Sequence, residues 1–322
     1  MPANTKFELK MGAATREAFG RAVVEAGKDD PRVVVCDADL SKSTMTTYFA
    51  KEFPHRFFEC GIAEANMVAL GAGLAMTGKI PFVSSFSAFI MTKGFEQLRV
   101  MVAYPTVNLK VVGTHSGISI GEDGPSQMSV EDLSLACNLP GFTVICPADE
   151  VAMKAAVKWA AAHDGPVFLR AGRVKVPIIY EEGREFDFSK AIELIDGTDV
   201  TLVGTGLLVA ECIRASEALA AEGISARVID VMTIKPLDVE TLARAAKETG
   251  ALVVAEEHLV DTGLGSRVAQ ALASTTPAPI EFVGVENCYA ESGTPEGLLE
   301  KYNLTSPAVV AAAKRVLARK QS

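Results

Sequence analysis

The sequence predicts an α/β protein made of two tandem doubly wound sheets. Three features predict it. Short continuous runs of β-branched residues, such as "RVVVCDA" (32–38) and "ALVVAEE" (251–257), recur along the chain. Amphipathic helical stretches separate them. Runs without polar alternation mark strands covered on both faces, the setting of parallel sheets. The rhythm breaks once, over "AGRVKVPIIYEEGREFDFSKAIELIDGTD" (171–199), and then resumes.

Taken in order, a helix over "AATREAFGRAVVEAG" leads into the strand 32–38. A helix over 62–77 follows, with Gly61 before it and Glu64 in its first turn. Next come a strand "IPFVSS" (80–85), a helix over 88–103 and a strand "NLKVVGT" (108–114). A Gly-rich loop (116–126), a helix over 129–138, the strand "FTVICP", a helix over 148–163 and the strand "PVFLR" (166–170) complete the first series. The second series has strands "VTLVGT" (200–205), "SARVIDV" (225–231), "ALVVAEE" and "IEFVGVE" (280–286). The charged, irregular stretch between them reads as a linker. The domain limits are therefore placed at 1–175, 176–195 for the linker, and 196–322.

Bulk properties narrow the function. The 322 residues are 49% hydrophobic and 22% charged, an ordinary globular composition. The formal net charge of -9 argues against a nucleic-acid surface, which needs a basic face. Six cysteines occur without a CxxC pair, as expected of reduced thiols in a cytoplasmic protein. "MPANTKFELKMGAATREAFG" holds no apolar leader, and no unbroken apolar run is long enough for a membrane span. Four histidines without HExxH spacing make a zinc site unexpected.

Several stretches carry candidate chemistry. "CGIAEANMVALGAGLAMTGKIPFVSSFSAF" (60–89) has a single acid, Glu64. Two readings stay open: a charge complementing the helix dipole, or a proton handle in a dry slot. Phe86 and Phe89 lie three apart, a spacing that also suits plain core. The loop "GTHSGISIGEDGPSQMSVED" (113–132) puts His115 just past a strand end and Asp123 eight residues later. Ligands bind at the carboxyl ends of strands in open α/β sheets. Gly, Asp and Pro also make ordinary surface turns. "VCDADLSKST" (35–44) sets Asp37, Asp39, Ser41 and Ser43 after another strand, where an N-cap cluster is the plainer reading. "LRAGR" supplies Arg170 and Arg173, either a solvated pair or an anion clamp. "LVGTGLLV" lacks the third glycine of a nucleotide fingerprint, and His258 reads as structural or as part of an interface.

Together, "FFECGIAEANM", "PFVSSFSAF", "THSGISIGEDGPSQMSVEDL" and "SGTPEGLLEKY" resemble the C-terminal half of transketolase, a thiamine-diphosphate enzyme. The resemblance runs from about 12 to 318, and "GPSQM" is similar to the mammalian type. It implies a pyrimidine-binding domain followed by the transketolase C-terminal domain. It implies that Glu64 hydrogen-bonds the cofactor's aminopyrimidine, that Phe86 and Phe89 wall that ring, and that Asp39 sits close by. It implies that His115 and Asp123 contact the sugar hydroxyls and that Ser43 and Arg173 hold its phosphate. It implies that Gln127 stands near the reacting carbonyl, where yeast and bacterial members carry His. Thr92 stands where some members have a third aromatic. Such chemistry needs the cofactor's own amine as base, and a carboxyl in an apolar slot activates that amine through the opposite ring nitrogen. His115 and Gln127 are then expected to donate to the developing alkoxide.

The family holds the diphosphate through Mg²⁺ on a Gly-Asp-Gly motif, and this sequence contains no Gly-Asp dipeptide. Full-length members are about twice as long. The expectation is therefore one chain of a split enzyme. An N-terminal transketolase subunit would hold Mg²⁺ (or Ca²⁺), and two chains of each kind would form a heterotetramer acting on sugar phosphates. Alternatives are a 2-oxo acid dehydrogenase β subunit, a deoxyxylulose-phosphate-synthase-like enzyme and a non-catalytic paralogue.

Overall fold

The computed structural model describes residues 7–320. The leader expectation falls partly on residues 1–6, and the second domain's expected limit falls on 321–322; both lie outside the described residues.

Two main sheets form. The first has seven strands, ordered Thr233–Lys235, Thr143–Ile145, Val167–Arg170, Lys110–Thr114, Ile80–Phe86, Val33–Asp37 and Phe57–Glu59. The second has five, ordered Ile280–Val285, Leu252–Leu259, Val200–Gly204, Ala226–Asp230 and Ile192–Ile195. Most neighbours run parallel, as the continuous apolar runs predict. Both sheets end on an antiparallel edge strand, and each edge strand is too short to show a period in the sequence.

Strand alternation feeds two cores. Val33, Val35, Phe82, Val112 and Leu169 face one side with Phe19 and Ala152. Cys36, Val83, Val111 and Phe168 face the other with Met67 and Ile90. The helices Thr15–Asp29 and Glu150–Ala162 pack on each other over the first face. The helix Glu64–Met76 covers the second. A fully buried strand therefore spends both of its side-chain rows on packing, which is why these strands read as unbroken apolar runs.

The stretch 171–199 is more ordered than its composition suggests. Lys175–Pro177 pairs with Met11–Ala14, and Ile192–Ile195 joins the second sheet. The expected helix over 88–103 divides into Ser87–Lys93, Phe95–Gln97 and a π-helical turn at Leu98–Ala103.

The two sheets meet over a buried ion pair. Arg170 ends the strand Val167–Arg170, and its Nε donates to Asp132 Oδ2 at 2.8 Å. Asp132 is fully buried and also accepts from Ser87 Oγ at 2.8 Å. Arg170 Nη2 donates to the Glu257 carbonyl of the second sheet at 2.9 Å. Arg170 is thus neither a solvated charge nor a free anion clamp. Removing one partner strands the other charge in the interior, at a cost of about 3–5 kcal/mol. We expect Asp132→Ala to lose stability of that order in urea unfolding. A loss below about 1 kcal/mol would place the pair among exposed bridges.

Candidate active site

The candidate residues collect along the carboxyl edge of the first sheet. Four adjacent strands, Val33–Asp37, Ile80–Phe86, Lys110–Thr114 and Val167–Arg170, end there. Asp39, Phe86, His115 and Arg173 follow or close them in that order. This is where a parallel sheet leaves a crevice.

Two of these residues hold strained backbone. Asp39 has φ 62° and His115 has φ 57°. Non-glycine residues rarely adopt that region, at roughly 1–3 kcal/mol each. Buried bonds enforce the turn after Val33–Asp37. Asp37 accepts from Thr44 Oγ1 (2.6 Å), Thr46 Oγ1 (2.8 Å) and Leu40 N (2.7 Å). Burial nevertheless pushes the Asp37 carboxyl up to about 6, against those hydrogen bonds. Glu59 Oε1 accepts from Asp39 N at 2.7 Å. These contacts present Asp39 outward and place Ser43 beside Arg16.

Glu64 opens the helix Glu64–Met76 and is 3% exposed. Its side chain pairs with the half-exposed Lys93, whose Nζ lies 3.5 Å from Glu64 Oε1 and 4.7 Å from the Phe89 ring centre. Phe89 stacks on Phe86 with ring centres 5.5 Å apart and planes 15° apart. Phe86 in turn stacks on the His115 imidazole at 3.8 Å. A carboxylate, a flat apolar wall and an imidazole thus stand along one edge. Thr92 is exposed and hydrogen-bonds back to Ala88 O at 2.5 Å. It adds no aromatic surface.

The sequence reading missed Arg16, which no motif announced. Its Nη1 donates to Ser43 O at 2.7 Å and approaches His115 Nε2 at 3.0 Å. A guanidinium only donates, so His115 Nε2 accepts, and Nδ1–H donates to Thr114 Oγ1 at 3.0 Å. His115 therefore differs from the expected donor to an alkoxide, because Arg16 takes its Nε2 lone pair and Thr114 its Nδ1–H. Burial, then Arg16 and Arg173, lower its pKa to about 3, so the ring is neutral. Burial and then Arg173 also lower the Arg16 value. Arg16 Nε is buried without a hydrogen-bond partner.

Arg173 donates to Ile120 O through a short contact and to Glu122 Oε2 at 2.9 Å. Asp123 lies on the exposed turn Gly121–Asp123, close enough for its charge to act on Arg16. Gln127 is half-buried, and its Oε1 accepts from Ser126 Oγ at 2.6 Å. Ser43, His115, Arg16, Arg173 and Asp123 therefore share one end of the crevice. Glu64 and Phe89 form the other, and Phe86 joins the two.

Comparison with known proteins places this geometry. Residues 11–178 match the family model of the transketolase pyrimidine binding domain, and 189–309 match that of the transketolase C-terminal domain. The 6-deoxy-6-sulfo-D-fructose transketolase subunit SqwH of Clostridium sp. (strain MSTE9) is 42% identical over 318 residues, covering 98% of this chain and 99% of that protein. A putative transketolase C-terminal section of Methanocaldococcus jannaschii is 41% identical, covering 94% and 95%. A solved split gene transketolase, described as an inactive beta4 tetramer, superposes with a TM-score of 0.90 at 47% identity, covering 96% of this chain and all of that one. The chain belongs to the transketolase family.

Proposed function

We propose that this chain is the C-terminal subunit of a split transketolase. It transfers a two-carbon ketol unit from a ketose bearing a terminal oxyanion to an aldose, and it works only with an N-terminal partner chain. The observation that carries the proposal is the pairing of a buried carboxylate slot with a two-arginine pocket on one sheet edge.

The slot fits an aminopyrimidine. Glu64 is buried and, among the described residues, pairs with a half-exposed lysine at 3.5 Å, so acceptor capacity is left over. The stacked Phe86 and Phe89 rings offer a flat apolar face. When bound, thiamine diphosphate supplies the carbanion and the electron sink for ketol transfer. Glu64 would hold a proton against the ring nitrogen in a low-dielectric setting. Among the described residues, no group of three or more His, Cys, Asp or Glu is placed to hold a metal ion. The proposal therefore leaves Mg²⁺ and the diphosphate to the partner's Gly-Asp-Gly motif.

The other end suits the substrate's terminal anion. Two guanidinium groups side by side lower each other's stability unless an anion sits between them. Arg16 Nε is a buried donor still lacking an acceptor. Ser43 and Arg173 complete a pocket for phosphate or sulfonate oxygens. Neutral His115, held between Arg16 and Thr114, lines the pocket, with Asp123 and Gln127 farther along the loop to meet the sugar hydroxyls. The SqwH likeness adds sulfo-sugars to sugar phosphates as donor candidates.

A partner has a surface to meet. Ile62, Leu70, Met76, Val100, Met101 and Tyr104 are exposed apolar residues on or beside the helix that carries Glu64 and the π-helical turn packed on it. We assign this face to assembly, with two copies of this chain and two partners in the complete enzyme. Among the described residues, no helix is long and apolar enough to cross a membrane, and the proposal places the enzyme in the cytoplasm.

The primary test is reconstitution. The chain is purified with its co-purifying partner and assayed with thiamine diphosphate and Mg²⁺. Xylulose 5-phosphate and 6-deoxy-6-sulfofructose are compared as donors, with an aldose phosphate as acceptor. Transfer from either supports the proposal, and the faster donor identifies the anion. Transfer from neither overturns it. Glu64→Ala should lower turnover at least about 100-fold. Arg16→Ala should raise KM for an anionic donor by about 10-fold or more, as expected for a lost charged hydrogen bond, and leave a neutral donor unchanged.

His115 gives a pH signature. Its folded pKa lies below the unfolded value, so the unfolded chain binds the extra proton. Stability is therefore lost as pH falls from about 6.5 toward about 3, and regained as it rises. The ring resonances of His115 should stay unshifted from pH 8 to pH 5, and a midpoint near 6.5 would contradict the buried, Arg16-capped ring.

A further inference from the structure

The second sheet reaches under the substrate-facing loop. Glu257 lies on its strand Leu252–Leu259 and is 3% exposed. Its Oε1 accepts from Ser119 N at 2.6 Å. Gly117, at φ 79°, passes so close that a Cβ there would lie 2.1 Å from Glu257 Cδ. Gly117 N donates to Ser129 O at 2.8 Å, closing the base of the loop. Leu259 N donates to Val130 O at 2.9 Å, fixing the loop's return to the same strand.

A second contact comes from the motif "SGTPEGLLEKY", which the proposed chemistry leaves without a role. A Cβ on Gly124 would lie 2.4 Å from Ser292 Oγ, and one on Gly121 would lie 3.0 Å from the Pro295 ring. The turn bearing Asp123 is thus held from outside while Glu257 holds the loop from within. Burial pushes the Glu257 carboxyl above its usual range, with Arg170 opposing. A neutral acceptor at this site is therefore tolerable.

We propose that the C-terminal half positions the substrate loop 116–127, with Glu257 as the positioning residue and Ser292–Pro295 as the outer clamp. The C-terminal half makes no contact with the reacting atoms in this scheme. It sets where Asp123, Gln127 and the Ile120 carbonyl that orients Arg173 stand. A misplacement of about 1 Å in such a constellation costs on the order of 100-fold in rate or binding. The inference rests on the ketol-transfer reading for its kinetic part alone.

The test has two arms. In the isolated full chain, amide exchange is followed by mass spectrometry across 116–128. Glu257→Ala should speed exchange at Ser119 and its neighbours by about 10-fold or more, and leave the strand Val33–Asp37 unchanged. Glu257→Gln keeps an acceptor and should stay within about threefold of the parent. In the reconstituted complex, Glu257→Ala should raise KM for the sugar about 10-fold, with Glu257→Gln restoring it and the affinity for thiamine diphosphate unchanged. Ser292→Arg, at an exposed position where folding is not at stake, should raise KM about fivefold. Loop exchange equal to the parent in Glu257→Ala, or exchange raised evenly over the whole chain, overturns the positioning role. Should Glu257→Ala not fold, an unchanged KM in Ser292→Arg overturns it. A parent complex without ketol transfer refutes the functional reading alone, and the exchange arm still decides the brace.

Discussion

The Arg170–Asp132 pair is the contact on which the arrangement depends. A guanidinium and a carboxylate taken out of water cost several kcal/mol each, and only full hydrogen bonding offsets that. Arg170 meets the demand with Asp132, Ser129 O and Glu257 O, which come from a helix start, a loop and the second sheet. Asp132 adds Ser87 Oγ from the helix that carries Phe89. Burial works against the Asp132 carboxylate, yet Arg170 holds its pKa below the usual range. No member of this set can shift alone without leaving a buried polar group unpaired. Such a pair contributes definition of geometry more than net stability.

From that anchor the site's chemistry follows by proximity. The helix Ser87–Lys93 is pinned by Ser87, so Phe86 and Phe89 keep their stack against His115. His115 in turn is held neutral and aimed by Thr114 on one side and Arg16 on the other. The strained backbone at Asp39 and His115 persists because the bonds around each turn over-determine it. One edge of one sheet therefore carries an apolar slot with an acid at one end and two arginines at the other.

Much of this was readable from the chain alone. The parallel strands declared themselves as unbroken apolar runs because both faces are buried. The candidate residues His115, Asp39 and Arg173 were visible because each follows such a run closely. Arg16 was not, since it opens a helix whose apolar period gives no reason to single out one exposed-looking arginine. The short antiparallel edge strands were also silent, because three or four residues cannot show a period. Arg170 and Arg173 look alike in "LRAGR", yet one is walled in by the second sheet and the other faces the crevice.

By itself the sequence determined the class of fold and the family, and it singled out Glu64, the Phe86–Phe89 pair and most of the candidate residues on the sheet edge. These depend on local order and on motifs whose members are close in sequence. Only the tertiary structure decided what occupies each nitrogen of His115, which arginine faces the crevice and what the second sheet touches. Each of those rests on contacts between residues far apart in the chain, such as Arg16 with His115 and Glu257 with Ser119. A hydrogen bond across about a hundred residues leaves no periodic trace, because its geometry is set by packing of the elements between.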